Sequence, residues 1–190
     1  MKKDIILCGV GGQGILSIAT IIGEAATKAN INLKQAEVHG MSQRGGSVVT
    51  YVRFGKKIYS PVIDKGEADI ILSFEQLEAA RWFEFLKKDG LVITNTQRLN
   101  PMPVITGDAE YPEGLVEKMK AAGTRVVAED FLSAAEKAGS SKAVNIALLG
   151  CLSKHFSEIS KEKWDEAIDA VVPEKFRELN HKAFDYGREI

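Results

Sequence analysis

One stretch near the amino terminus constrains the fold more than any other: Asp4-Ile5-Ile6-Leu7-Cys8-Gly9-Val10-Gly11-Gly12-Gln13-Gly14-Ile15-Leu16. The run from Ile5 to Cys8 is too short and too apolar for a surface helix, so it reads as a buried strand. Gly9, Gly11 and Gly14 then fit G-x-G-x-x-G. Beyond them Ile15, Leu16, Ala19, Ile22, Gly23 and Ala26 recur at three- and four-residue spacing, one face of a helix. A strand, a glycine turn and a helix N-terminus form an anion site. Glycines let the backbone approach a phosphate, and free N–H groups with the helix dipole favour negative charge. The competing reading is a tight turn that packs the helix on the sheet and binds nothing.

The rest of the chain suits an α/β protein. Ile31 to Val38 holds a second strand, and Glu37 stands where an acidic residue would grip a ribose hydroxyl in a dinucleotide-binding domain. Instead of a crossover helix, a second glycine-rich segment follows, His39-Gly40-Met41-Ser42-Gln43-Arg44-Gly45-Gly46. Ser47 to Phe54 reads as a strand, Gly55-Lys56-Lys57 as a turn and Ile58-Tyr59-Ser60 as its return strand, a hairpin that implies a mixed sheet. Ala68 to Leu72 is another strand. Ser73 and Gln76 form a capping-box pattern for a helix reaching about Lys87. Further strands fall at Leu91–Thr94 and Arg125–Ala128, with helices at 112–122, 131–137, 143–156, after Ser160 and from Pro173. The helix over 143–156 is apolar all round, so its own core or another subunit must bury it. The architecture expected is three-layer α/β/α with a mostly parallel, mixed sheet and a Rossmann-like first βα unit, one domain over 1–190.

Composition narrows the function. With 25 Lys and Arg against 26 Asp and Glu the net charge is −1, so neither nucleic acid nor an anionic membrane is expected as a partner. No spanning apolar run and no signal-peptide pattern is present, which points to the cytoplasm. Two cysteines, Cys8 and Cys151, read as buried free thiols and cannot alone hold an iron–sulfur cluster, which takes four ligands. His39, His155 and His181 show no metal-ligand spacing, and no metal is expected. No G-x-S-x-G and no Walker lysine appears. What remains is two glycine loops, both expected at the carboxyl ends of neighbouring strands. Arg44 offers a planar cation there, either to a phosphate or carboxylate or to a local salt bridge.

These motifs in order, Gly9 to Gly14, then Glu37-Val38-His39-Gly40-Met41-Ser42-Gln43-Arg44-Gly45-Gly46-Ser47-Val48, then Tyr59-Ser60-Pro61 and Gly66-Glu67-Ala68-Asp69, resemble the gamma-type subunit of 2-oxoacid:ferredoxin oxidoreductases. The second motif is most similar to the small (beta) subunits of the indolepyruvate branch. The resemblance implies a subunit of an anaerobic enzyme that oxidatively decarboxylates arylpyruvates with coenzyme A, giving aryl-acetyl-CoA, CO2 and reduced ferredoxin. It implies thiamine diphosphate and iron–sulfur clusters on a large (alpha) partner subunit, with no cofactor on this chain alone. Ferredoxin would be reached through the complex. The expected cofactor-binding set, facing coenzyme A or a shared cleft, is Gly9, Gly11, Gly12, Gln13 and Gly14 with His39, Ser42, Arg44, Gly45 and Gly46. No catalytic residue is assigned. The alternatives are a gamma subunit serving 2-oxoglutarate, 2-oxoisovalerate or pyruvate, and a non-catalytic nucleotide-binding module.

Overall fold

The structure, a computed structural model, describes residues 2–38 and 45–190. Among the described residues six strands form one sheet: β1 (Lys3–Val10), β2 (Leu33–Val38), β3 (Ser47–Phe54), β4 (Ala68–Ser73), β5 (Leu86–Asn95) and β6 (Arg125–Glu129). Their order is β2-β3-β1-β4-β5-β6. β1, β4, β5 and β6 run parallel to one another, whereas β3 lies antiparallel to both β1 and β2. The sheet is therefore mixed and mostly parallel, with helices on both faces.

Alternation along the strands sorts the two cores. Ile5 and Leu7 of β1, Val52 of β3, Leu72 of β4 and Ile93 of β5 point to one face. There they meet α1 (Ile15–Lys28), α5 (Phe131–Ala138), α6 (Val144–Ser153), α7 (Lys161–Val171) and α8 (Arg177–Glu189). Ile6, Cys8, Val49, Ile71 and Val92 point the other way, under α2 (Gln76–Trp82) and α4 (Leu115–Ala121). A short α3 (Met102–Ile105) sits in the connection after β5. α6 is buried except at Asn145 and its own chain covers it: Gly150 faces the carbonyl of Phe184, and Gly187 faces that of Ala147. The backbones of α6 and α8 thus touch, which only glycine permits.

Several sequence expectations are corrected. Ile58–Ser60 is not a strand. β3 already has β1 on one edge and β2 on the other, so a return strand after Phe54 would have no edge to join. The antiparallel element is the β2–β3 pair instead. The helix after β4 stops at Trp82, tightens to a 3-10 turn over Phe83–Phe85, and Leu86 already pairs with Ala68 as strand. Trp82, Phe83 and Phe85 pack on the second core from that turn, so their spacing mimics a longer helix. Ser73 ends β4 and does not cap α2; Glu75 caps it, accepting from the amides of Leu77 and Glu78. Ser160 holds the N-cap position of α7 with no side-chain cap bond, and Pro173 precedes a 3-10 turn (Glu174–Phe176) instead of opening α8. Residues 102–105 form the single turn of α3.

The connections fix where a ligand would bind. From β1 the chain leaves through α1 toward β2, and from the adjacent β4 it leaves through α2 toward β5 on the other side. Two neighbouring parallel strands whose connections part in opposite directions open a crevice at their carboxyl ends, where open α/β sheets bind ligands. Among the described residues no helix is long and apolar enough to cross a membrane.

Candidate functional site

The crevice is walled by the loop after β1. Gly14 is the N-cap of α1 and adopts φ 80, a left-handed conformation that costs a non-glycine residue about 1–2 kcal/mol. Among the described residues no side chain caps α1, and its first turn has no acidic residue, so the amides of Ile15, Leu16 and Ser17 are the donors that helix geometry leaves without a partner inside the helix. Gly9 serves packing: a Cβ there would stand 2.7 Å from Gln13 Oε1 and 2.9 Å from Phe74 Cβ. Gln13 is a brace. Its Oε1 accepts from the Val10 amide at 2.7 Å, and its Nε2 donates to the Phe74 carbonyl at 3.0 Å, tying the loop to the end of β4.

Gly11 joins the two glycine segments. Its amide donates to the Gly46 carbonyl at 2.8 Å, and its carbonyl accepts from the Gly45 amide at 3.2 Å. One residue of the β1 side thus opposes two of the β3 side, and Gly45 has φ 88, the arrangement of a glycine β-bulge. The second loop therefore reaches β1 through the amino end of β3; its other strand, β2, is one strand further out. Glu37 on β2 is separated from β1 by β3, which removes the ribose-gripping geometry expected of it.

Clefts flank the first loop. One of ≈ 540 Å³ runs between Gly12–Gly14 and the start of α6, with Gln97, Leu99, Lys142 and Asn145 on its walls. A second of ≈ 320 Å³ lies between Gly11, Leu16, Ser17 and Val48. Leu16, placed on the buried face by its spacing, is 37% exposed and lines this cleft. The larger cleft combines glycine backbone, a helix N-terminus, the amide side chains of Gln13, Gln97 and Asn145 and one lysine, a set suited to an anion and, among the described residues, offering no nucleophile with its base.

Asn145 contacts the place of a Gly14 side chain: an added Cβ would lie 2.5 Å from its Nδ2. Gly14→Ala is expected to cost about 2–3 kcal/mol, combining left-handed strain with that clash, and to lower Tm by roughly 5–10 °C. Adding Asn145→Ala relieves only the clash, so thermal unfolding of the double variant should recover part of the loss. Full recovery would mean the backbone strain is absent.

A third cleft, ≈ 240 Å³, opens between Gly45–Ser47, α2 and Pro101–Pro103. Two carboxylates sit at its base, Glu75 at 1% exposure and Glu78 at 5%. Glu75 accepts from the amides of Leu77 (2.7 Å), Glu78 (3.1 Å) and Leu99 (3.4 Å) and from the Tyr111 hydroxyl. Glu78 accepts from the Ser47 hydroxyl and meets Arg81 Nε at 3.2 Å. Burial pushes the Glu78 carboxyl above the ordinary range, with Ser47 and Arg81 opposing. Burial likewise raises the Cys8 thiol, which donates to the Glu78 carbonyl at 3.6 Å.

The structure brings Gly9, Gly11, Gly12, Gln13, Gly14, Gly45 and Gly46 to one end of the sheet. His39, Ser42 and Arg44 lie outside the described residues. Sequence reasoning missed Lys142, Asn145, Glu75 and Glu78. Asn145 had one trace, a lone amide in the first turn of an otherwise apolar helix; the others converge only through the fold. His181 sits between Asp165 (3.3 Å) and Asp169 (2.8 Å), and His155 is a half-buried packing residue whose pKa burial lowers. Both cysteines are free and buried, and among the described residues no group of three or more His, Cys, Asp or Glu is placed to hold a metal.

A model of the family "Pyruvate ferredoxin/flavodoxin oxidoreductase" matches residues 4–190. The indolepyruvate oxidoreductase subunit IorB of Pyrococcus horikoshii is 44% identical over 198 residues, covering 98% of this chain and 95% of that protein. The subunit of the same name from Thermococcus kodakarensis is 42% identical over 194 residues, covering 98% and 95%. Among solved structures, the gamma subunit of a keto/oxoacid ferredoxin oxidoreductase from Geobacter sulfurreducens superposes with a TM-score of 0.73 at 26% identity, covering 98% of this chain and 96% of that one.

Proposed function

Because the chain belongs to the pyruvate ferredoxin/flavodoxin oxidoreductase family, we propose that it is the small subunit of an enzyme that oxidises indolepyruvate or a related arylpyruvate. The reaction converts the 2-oxo acid, coenzyme A and two oxidised ferredoxins to aryl-acetyl-CoA, CO2, two reduced ferredoxins and a proton. The observation that carries this reading is the similarity of 42–44% identity, spanning nearly the whole chain, to proteins named as indolepyruvate oxidoreductase subunits. The reading treats 1–190 as one gamma-type unit working in the cytoplasm with a large partner subunit.

The chain's own chemistry supports a binding role. Thiamine diphosphate would supply the carbanion chemistry of decarboxylation, and iron–sulfur clusters the electron path. Two buried cysteines on β1 and α6 do not fit a cluster, which takes four thiolates. The partner subunit is therefore the proposed bearer of both. What this chain offers coenzyme A is the cleft of Gly12–Gly14, where the glycine backbone leading into α1 and the side chain of Lys142 line walls suited to an anionic group. Arg44, from the second loop, is proposed to add a guanidinium to the same ligand.

Reconstitution tests the reading. Mixed anaerobically with its large partner, the chain should support viologen reduction by indolepyruvate only when coenzyme A and both chains are present. Reduction with 2-oxoglutarate or pyruvate alone would move the substrate assignment, and none at all would overturn the enzymatic reading. Arg44→Ala and Lys142→Ala should each raise KM for coenzyme A by about five- to tenfold, the scale of one exposed charge-assisted contact, with KM for the keto acid unchanged. Both constants at wild-type values would remove these residues from the site.

A further inference from the structure

Glu78 is a buried carboxylate with no part in the function proposed above. It belongs to the third residue of α2, yet its hydrogen-bond partner is across the crevice. Ser47, an exposed residue at the start of β3, donates its hydroxyl to Glu78 Oε2. Immediately before Ser47 lie Gly45 and Gly46, which grip Gly11 through two backbone bonds. The arm from Gly45 to Ser47 is thus fastened at two points, to the first glycine loop by its backbone and to α2 by one side chain. Between them is Val10, paired with Ser47 at the end of the β1–β3 ladder.

We propose that Glu78 is a positioning residue: by accepting the Ser47 hydroxyl it fixes the Gly45–Ser47 arm, and through Gly11 it sets the shape of the glycine cleft beside α1. Three features carry the inference. Glu78 meets Arg81 Nε at 3.2 Å on the same helix, and its backbone amide is bound by Glu75, which together fix the residue in the first turn of α2. Beyond those backbone bonds the arm has little to hold it: Gly45 has φ 88, among the described residues no atom comes within 4 Å of where its side chain would be, and Gly45 and Ser47 are exposed. Finally, a hydroxyl-to-carboxylate bond is among the stronger hydrogen bonds, and here its acceptor is buried although its donor is exposed. A single bond of this kind can therefore decide whether a glycine segment stays docked. In affinity for coenzyme A the inference rests on the binding role proposed for the cleft; the docking of the arm does not.

The experiment separates the two. In the isolated full chain, amide hydrogen exchange is followed at Gly45, with Ile71 in the centre of β4 as the internal standard. Ser47→Ala should speed exchange at Gly45 by about tenfold and leave Ile71 unchanged, since an exposed hydroxyl contributes to the arm and not to the core. Ser47→Thr, which keeps the hydroxyl, should restore wild-type exchange. Glu78→Ala should reproduce Ser47→Ala, and the double variant should be no worse than either single one. In the reconstituted complex the same Ser47→Ala chain should raise KM for coenzyme A several-fold with kcat unchanged. Unchanged exchange at Gly45, or no rescue by Thr, overturns the positioning role. Faster exchange with an unaltered KM upholds the fastening of the arm and overturns the coenzyme A assignment of the cleft.

Discussion

Gly187→Ala should destabilise the chain by about 3–5 kcal/mol, a large part of the 5–15 kcal/mol that holds a typical domain together. An added Cβ would stand 1.9 Å from the Ala147 carbonyl oxygen and 2.7 Å from its carbon, and both are backbone atoms of α6. A side chain can rotate away from such a contact, whereas a helix backbone can yield only by shifting as a unit. α6 cannot shift freely, because it is buried along its length and packs on the aromatic row of Phe156, Trp164 and Phe184. The loss should also reach the cleft, since Asn145 in the first turn of α6 abuts Gly14. Gly23→Ala is the internal control. It sits inside α1 with nothing closer than Gln35 at 3.7 Å, so the same substitution should gain about 0.5–1 kcal/mol from helix propensity. Denaturant unfolding of the two variants should move the midpoint in opposite directions. A Gly187→Ala chain as stable as wild type would mean that α6 and α8 do not cross in backbone contact.

Glu75→Ala should be comparably severe, about 3–5 kcal/mol, for an unrelated reason. The carboxylate caps α2 and gathers two distant donors, the amide of Leu99 from the connection after β5 and the hydroxyl of Tyr111 before α4. Removing a cap costs about 1 kcal/mol, and each buried donor left without an acceptor about 1–3 more. Tyr111 is 5% exposed, and Arg98 stacks on its ring at 3.9 Å, so water does not readily replace the lost partner. Glu75→Gln retains one acceptor oxygen and the shape, and should recover more than half of the loss. Thermal unfolding with Tyr111→Phe as the partner mutation completes a cycle: the double variant should be much less destabilised than the sum of the two. Strict additivity would show that the Glu75–Tyr111 bond does not contribute.

Local pattern made much of the fold legible. β1, α1, β3, β6 and α5 follow from apolar runs, alternation and glycine stops, and the Ser47–Phe54 boundaries agree with the strand observed. What failed is whatever depends on which strands become neighbours. Ile58–Ser60 has a strand's composition and no edge to pair with. Leu86 has a helix's spacing and a strand's partner. Of the candidate site, the glycines of both loops were visible because tight turns demand them. Glu75, Glu78 and Lys142 were not, because nothing in their local sequence marks a carboxylate or ammonium that the sheet will carry to a shared crevice. Gln13 was legible as a site residue by position, yet its side chain spends both polar ends on holding the loop.

The placement of β3 inside the sheet leaves β2 and β6 as the outer strands, six and five residues long. Lys34 and Glu37 stand on one, Arg125 and Glu129 on the other. Short outer strands carrying charges of both signs are poor templates for another strand, because a docking chain would bring charge against charge and strip it of water. Both sides of the sheet are thus poorly suited to adding a strand, while the crevice lies apart from them, at the strand ends.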